Sequence, residues 1–172
     1  NFSSFGWNLT LAGVMPLVPA CPAYGGPRGC PPIRVDMVIS EDTDISAYDV
    51  VAIMPGSLWV TVPYGDLLAS RVVLDLISDA VAEDLVVFAP CGAVRVLAAA
   101  DVLDGVDVTG HRSFQAEYEA AGANYLGANL PPVIDGNIVT ATRGMYFHEA
   151  NCEAVAIALE DVHQRAQKEG RR

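Results

Sequence analysis

Basic residues are scarce in this chain: ten Lys and Arg stand against 21 Asp and Glu, giving a formal net charge of −11. Phosphate backbones and anionic membrane surfaces are bound through Lys and Arg, so this balance opposes nucleic acid and membrane as partners. Long apolar runs are missing too. None reaches the roughly 20 residues that a membrane-spanning helix needs, and no secretory signal opens the sequence. A cytoplasmic location is the resulting expectation. The first residue is Asn1 and not Met, which allows for processing or for an incomplete chain. The four cysteines, Cys21, Cys30, Cys91 and Cys152, include no CxxC pair, which argues against a zinc site or a thioredoxin-like motif. Cys21 and Cys30 flank a Pro/Gly-rich loop and could pair, although reduced thiols are expected in a cytosolic protein. Asn8-Leu9-Thr10 fits the glycosylation pattern but falls in an expected strand, so it is read as chance.

What is present is a folded composition. Apolar residues make up 52% and charged residues 18% of 172 positions, enough for one sizeable core. No internal repeat and no linker divide the chain, so residues 1–172 are expected to form a single domain.

The pattern alternates strands and helices. Strands are expected at Asn8–Val14, Ile33–Ile39, Val50–Met54, Leu85–Phe88 and Val106–Thr109. Helical spacing covers Asp66–Glu83, Gly92–Leu103, Phe114–Ala121 and Glu149–Gln167. Val133-Ile134, the turn Asp135-Gly136 and Ile138–Ala141 read as a hairpin. Such alternation predicts an α/β three-layer sandwich, a mainly parallel sheet flanked by helices, of the flavodoxin-like kind.

In such sheets, sites form beyond the carboxyl ends of the strands. Three segments leave strands there: Pro55-Gly56-Ser57, Cys91-Gly92 and Gly110-His111. Cys91 sits where the apolar strand ending in Phe88 gives way to an Ala/Val/Leu helix. A cysteine in that corner is either a small buried apolar residue or a thiol made reactive by first-turn N–H groups. The convergence of three strand ends on one edge favours the reactive thiol. Cys152 reads as inert core and His163 as solvated. Trp59, Tyr64, Tyr146 and Phe147 read as core or contact aromatics, with a pocket wall as the alternative.

Four ordered segments resemble the ThiJ/PfpI superfamily, the cysteine branch of the class I glutamine amidotransferase-like fold. They are Tyr48-Asp49-Val50-Val51-Ala52-Ile53-Met54-Pro55-Gly56, Phe88-Ala89-Pro90-Cys91, Val108-Thr109-Gly110-His111, and the stretch Asp135 to Gly144. The resemblance implies that Cys91 is a low-pKa nucleophile or an oxidation-sensing thiol at a nucleophile elbow. Backbone N–H groups of Gly56, Ser57 and Gly92 would form an oxyanion hole. His111 would serve as base, acid or hydrogen-bond donor. It implies a small electrophilic substrate (carbonyl, amide or isonitrile type), no metal or organic cofactor, and a homodimer. Hydrolase and lyase chemistries of the glyoxalase, deglycase or hydratase kind all fit.

The chain departs from that family in several places. No residue matches the family's glutamate that touches the cysteine, because the sequence opens around the helix that follows it. The family's N-terminal strand and loop are therefore expected to be lacking, which would leave a sheet edge uncovered. Gly92 stands where the protease-like branch has a histidine. Ser57 replaces the second glycine of a Pro-Gly-Gly turn. His148-Glu149 resembles the His and Glu of glutamine amidotransferases without the intervening proline, so a hydrolase using Cys91 and His148 is one alternative. A non-catalytic redox or stress sensor with an oxidisable Cys91 is the other. Arg143 is either an anchor for an anionic substrate or a structural partner of sheet-edge carbonyls.

Overall fold

The computed structural model describes residues 6–18, 32–54, 65–142 and 148–170. Its centre is a four-stranded sheet of β5 (Val50–Ala52), β6 (Val86–Pro90), β10 (Ile138–Ala141) and β9 (Val133–Asp135), in the order β5-β6-β10-β9. β6 runs parallel to both β5 and β10, and β9 returns antiparallel to β10. All five residues of β6 are buried. This is what a near-continuous apolar run becomes when both faces of a parallel strand are covered.

The two faces divide by alternation. Val87 and Ala89 point to one core, with Val73, Ile77 and Ala80 of α2 (Arg71–Ala82) and Val94, Val96 and Leu97 of α3 (Val94–Ala99). Val86, Phe88, Val139 and Ala141 point to the other, against Ala154, Val155 and Ala158 of α5 (His148–Lys168). Helices on both faces of a mainly parallel sheet make the expected three-layer α/β sandwich.

Several element boundaries differ from the sequence expectation, each for a local reason. The helical spacing over Asp66–Glu83 is two helices, α1 (Gly65–Ala69) and α2. Ser70 separates them: it takes extended angles and its hydroxyl accepts the Val73 N–H at 3.4 Å, as an N-cap does. The expected strand Ile33–Ile39 is two short ones, β3 (Ile33–Arg34) antiparallel to β2 (Leu17–Val18), and β4 (Met37–Val38) parallel to β1 (Ala12–Gly13). Asp36 lies between them and fastens to Leu11 twice: its N–H donates to the Leu11 carbonyl, and its carboxylate accepts the Leu11 N–H, both at 2.8 Å. Helix α3 starts only at Val94, after a 3₁₀ turn over Cys91–Ala93.

The sequence pattern misses β8 (Asn124–Gly127), which pairs parallel with β7 (Asp107–Thr109). The strand expected at Val106–Thr109 is β7, which begins one residue later. This pair leans on the sheet through side chains: the Asp107 N–H donates to Asp135 and the Thr109 N–H to the Thr140 hydroxyl. Short helix α4 (Gln115–Ala120) bridges the two strands. Among the described residues β5 pairs on one side only, and its three residues are half-buried where those of β6 are fully enclosed. No helix among the described residues is long and apolar enough to cross a membrane.

The hairpin is present, with its loop one residue later than the sequence suggests. Ile138 pairs with Asp135, so Gly136 and Asn137 form the loop and Asp135 belongs to β9. Gly136 supplies the left-handed φ of 61° that the first position of a primed two-residue turn requires. Asn137 does more than turn the chain. Its buried amide donates to the carbonyls of Val81 (3.0 Å) and Leu85 (2.8 Å), tying the end of α2 to the hairpin. Replacing Asn137 with Ala removes both bonds, while the Val81 carbonyl keeps the Asp84 N–H at 3.2 Å, and the expected loss in unfolding free energy is about 1–3 kcal/mol. Urea denaturation of Asn137→Ala measures it; a change within about 0.5 kcal/mol, the range of an ordinary surface substitution, contradicts the assignment.

Candidate active site

The site is built at the carboxyl end of β6. Pro90 closes the strand with extended angles, and the next residue, Cys91, turns to a φ of 59°. A residue with a Cβ seldom adopts this left-handed conformation, which costs about 1–3 kcal/mol where it occurs. The reversal sends the chain straight from strand into helix and leaves Cys91 half-buried rather than enclosed. Gly92 and Ala93 are buried immediately behind it, so small residues let the helix start close to the sheet. Strand, strained nucleophile-type residue and helix follow in the order of a nucleophile elbow. The helix is shorter than the sequence suggests, six residues after the 3₁₀ turn. Its dipole is correspondingly weaker, and nearby peptide N–H groups matter more. Cys152 is buried in α5, as expected of inert core.

His111 is delivered to the elbow by β7. Its N–H donates to the Cys91 carbonyl at 3.3 Å. The imidazole Nδ1 accepts the Ser113 N–H at 3.3 Å, so in the neutral ring the proton sits on Nε2. Phe114 flanks the ring at 5.6 Å between centroids, and the Arg95 guanidinium lies 4.4 Å over the Phe114 ring. Arg95 in turn pairs with Glu117 at 2.7 Å. The structure thus joins the main chains of two residues named from sequence, Cys91 and His111, and fixes the histidine ring from two sides.

Sequence reasoning did not single out Tyr118 or the threonines behind it. Tyr118 is fully buried, and its hydroxyl lies 3.4 Å from both the Cys91 and the His111 carbonyls. The Tyr125 hydroxyl donates to the Gly110 carbonyl at 3.3 Å. Burial raises the Tyr125 phenol above its ordinary value, with Arg112 opposing and Glu119 adding. It therefore stays a donor throughout the neutral range. Beneath β7, the Thr109 hydroxyl donates to the Gly127 carbonyl at 2.6 Å and meets the Thr142 hydroxyl at 2.8 Å. The one signal in the sequence for Tyr118 is a large ring amid the polar residues of Gln115–Ala120.

Gly56, Ser57 and Arg143 lie outside the described residues, as do Cys21, Cys30, Trp59, Tyr64, Tyr146 and Phe147. His148 is the first residue of α5, and its side chain is outside the description. His163 is exposed, 3.9 Å from Asp49. Among the described residues no cluster of His, Cys, Asp or Glu could hold a metal ion. A groove of about 410 Å³ lined by Leu68, Arg95, Asp101 and Glu117 among others includes neither Cys91 nor His111.

This chain is 36% identical over 110 residues to the "Putative cysteine protease YraA" of Bacillus subtilis (strain 168), a match covering 63% of this chain and 60% of YraA. Its fold is similar to the ThiJ/PfpI domain protein of Brachyspira murdochii, with a TM-score of 0.75 at 20% identity over 93% of this chain and 84% of that one. It is also similar to a two-domain protein of Anabaena variabilis ATCC 29413 with DJ-1/ThiJ/PfpI-like and ferritin-like domains. That TM-score is 0.70 at 20% identity, over 94% of this chain and 42% of that one. The chain thus spans less than two thirds of YraA and of the Anabaena protein. The model of the DJ-1/PfpI family matches residues 2–156. A strand, a half-exposed elbow cysteine and a helix, set in a fold shared with those proteins, accompany that match: the chain belongs to the DJ-1/PfpI family.

Proposed function

We propose that the chain is a cysteine-dependent enzyme acting on a small electrophilic substrate, with Cys91 as nucleophile. The observation that carries this reading is the left-handed, half-exposed Cys91 at the tip of a fully buried strand. A merely structural cysteine gains nothing from a strained backbone at a strand-to-helix corner. Strain kept at one such residue supports a functional role.

The chemistry follows from the residue types. The Cys91 thiolate attacks a carbonyl carbon and forms a C–S bond, while the carbonyl π pair moves to oxygen. Backbone N–H groups of Gly56, Ser57 and Gly92 stabilise that oxyanion in this reading. His111, made an imidazolium by the proton that the thiol gives up, then delivers a proton from Nε2 to the oxygen and returns to the neutral ring, giving a hemithioacetal from an aldehyde. An amide substrate instead expels its amine and leaves a thioester for water to cleave. The name of YraA points to such acyl chemistry. Gly92, in the position where the protease-like branch carries histidine, favours the small carbonyl substrate.

Reversible oxidation of Cys91 is the second reading. Its half-exposure suits a peroxide-reactive thiol as well as a nucleophile.

Iodoacetamide alkylation followed by mass spectrometry across pH tests the nucleophile. Cys91 should react with a midpoint well below the ordinary cysteine value of about 8.5, and buried Cys152 should remain unmodified. An ordinary midpoint, or no adduct at Cys91, defeats the reading. Turnover of methylglyoxal, an isonitrile and small amides then separates enzyme from sensor: a depressed midpoint with no turnover, plus sulfenic acid after mild peroxide, selects the sensor.

His111→Gln removes the proton relay and keeps a side chain of similar reach. Turnover should fall about 10²–10⁴-fold, as for loss of a general acid–base, while alkylation of Cys91 persists. Turnover within about twofold of wild type, far short of that range, removes His111 from the mechanism.

A further inference from the structure

We propose that Tyr118 is a positioning residue for the nucleophile, clamping the strained Cys91 peptide to the His111 segment. The proposal rests on the nucleophile reading of Cys91. It concerns what holds that residue in place.

The Cys91 carbonyl receives the His111 N–H at 3.3 Å and faces the Tyr118 hydroxyl at 3.4 Å. The same hydroxyl lies 3.4 Å from the His111 carbonyl. One phenolic proton thus serves two acceptors, one from the elbow and one from the residue proposed to relay protons. Both contacts are long for an O–H···O bond, so neither is strong alone. Their effect is positional. The phenol is fully enclosed, and its ring packs 5.7 Å from that of Tyr125. Gly110 leaves the space it fills: a Cβ there would come within 3.0 Å of the Tyr118 ring and 3.1 Å of its hydroxyl. The Tyr125 hydroxyl holds the Gly110 carbonyl from the other side. Neither carbonyl can rotate toward a relaxed backbone without displacing a ring that has nowhere to go.

A left-handed residue bearing a Cβ persists only where its surroundings over-determine it. Tyr118 supplies part of that determination from outside the elbow's own strand and helix. It comes from α4, so the fold around His111 and the geometry of the thiol are mechanically coupled.

Tyr118→Phe tests this, because it keeps the ring and removes only the shared donor. The alkylation rate of Cys91 at neutral pH should fall about three- to tenfold, the worth of one net hydrogen bond. The pH midpoint should rise by about half a unit or more. The thermal midpoint should move by no more than a few degrees. A residue that merely fills space would change the melt and leave the pH profile of the folded protein where it was. A Tyr118→Phe protein that folds and gives the wild-type profile overturns the clamp and leaves the nucleophile reading intact. An ordinary profile in the wild-type chain overturns the nucleophile reading and takes the clamp's role with it. Should Tyr118→Phe fail to fold, Gly110→Ala carries the test, since it keeps the hydroxyl and pushes the ring aside. The same rise in midpoint supports the clamp, and a wild-type profile overturns it.

Discussion

One residue bends the chain where the rest of the site needs it bent. Cys91 adopts a φ of 59° at the end of β6, and the strand-to-helix reversal that follows sets where the thiol points and where α3 begins. The local cost of about 1–3 kcal/mol must be offset by packing. β6 offers that packing: it is flanked by parallel strands on both sides, and every one of its residues is buried. On the helix side, Ala93, Val94, Val96 and Leu97 are all fully enclosed. Burying each Val or Leu side chain contributes about 1.5–3 kcal/mol, so a few of them outweigh the strain at one residue. The elbow is therefore a consequence of a strand and a helix that are each more firmly held than the corner between them.

The second constraint is lateral. β7 reaches the site without a backbone ladder to the main sheet, so its position depends on side chains. Thr109 is central to this. Its N–H goes to Thr140 on β10, and its hydroxyl reaches Gly127 and Thr142. Three threonines, each at most 4% exposed, replace with hydroxyls the ladder that β7 lacks. Buried hydroxyls are costly unless satisfied, and satisfied ones fix a register that apolar side chains would leave free to slide. This is how His111, two residues beyond Thr109, comes to a defined place beside Cys91.

These layers were not equally legible in the sequence. Strand β6 and helix α5 announce themselves through long apolar patterning, and the parallel sheet follows from their alternation. Cys91 and His111 could be named because each follows an apolar run at a strand end, where side chains of that kind are exposed to chemistry. The break at Ser70 was hidden because apolar spacing continues through it, and only a capping hydroxyl interrupts the helix. β8 was hidden because its half-buried and exposed positions alternate over only four residues, among them Gly127 with a φ of 114°. The bonding of Asn137 was hidden, since an amide that binds two distant carbonyls has the same sequence signature as one that only turns a hairpin. Tyr118 was missed for a related reason. Its partners are main-chain carbonyls of residues 27 and 7 positions away, and carbonyls leave no mark in a sequence.

The surroundings of His111 bear on how it can work. Its ring lies against Phe114, and beyond Phe114 stands the guanidinium of Arg95. An uncompensated cation there would set a positive field over the ring. Glu117 prevents this by pairing with Arg95 at 2.7 Å, with the arginine side chain only 18% exposed. The pair is partly screened by solvent on the glutamate side, which is 47% exposed, so its worth lies less in stability than in cancelling charge. The imidazole is placed by a flat ring on one side and by the Ser113 N–H on Nδ1. A histidine held by packing and one backbone donor keeps a fixed tautomer and direction while its Nε2 stays the proton-bearing nitrogen. A fixed orientation is what these contacts give the residue proposed to move protons at Cys91.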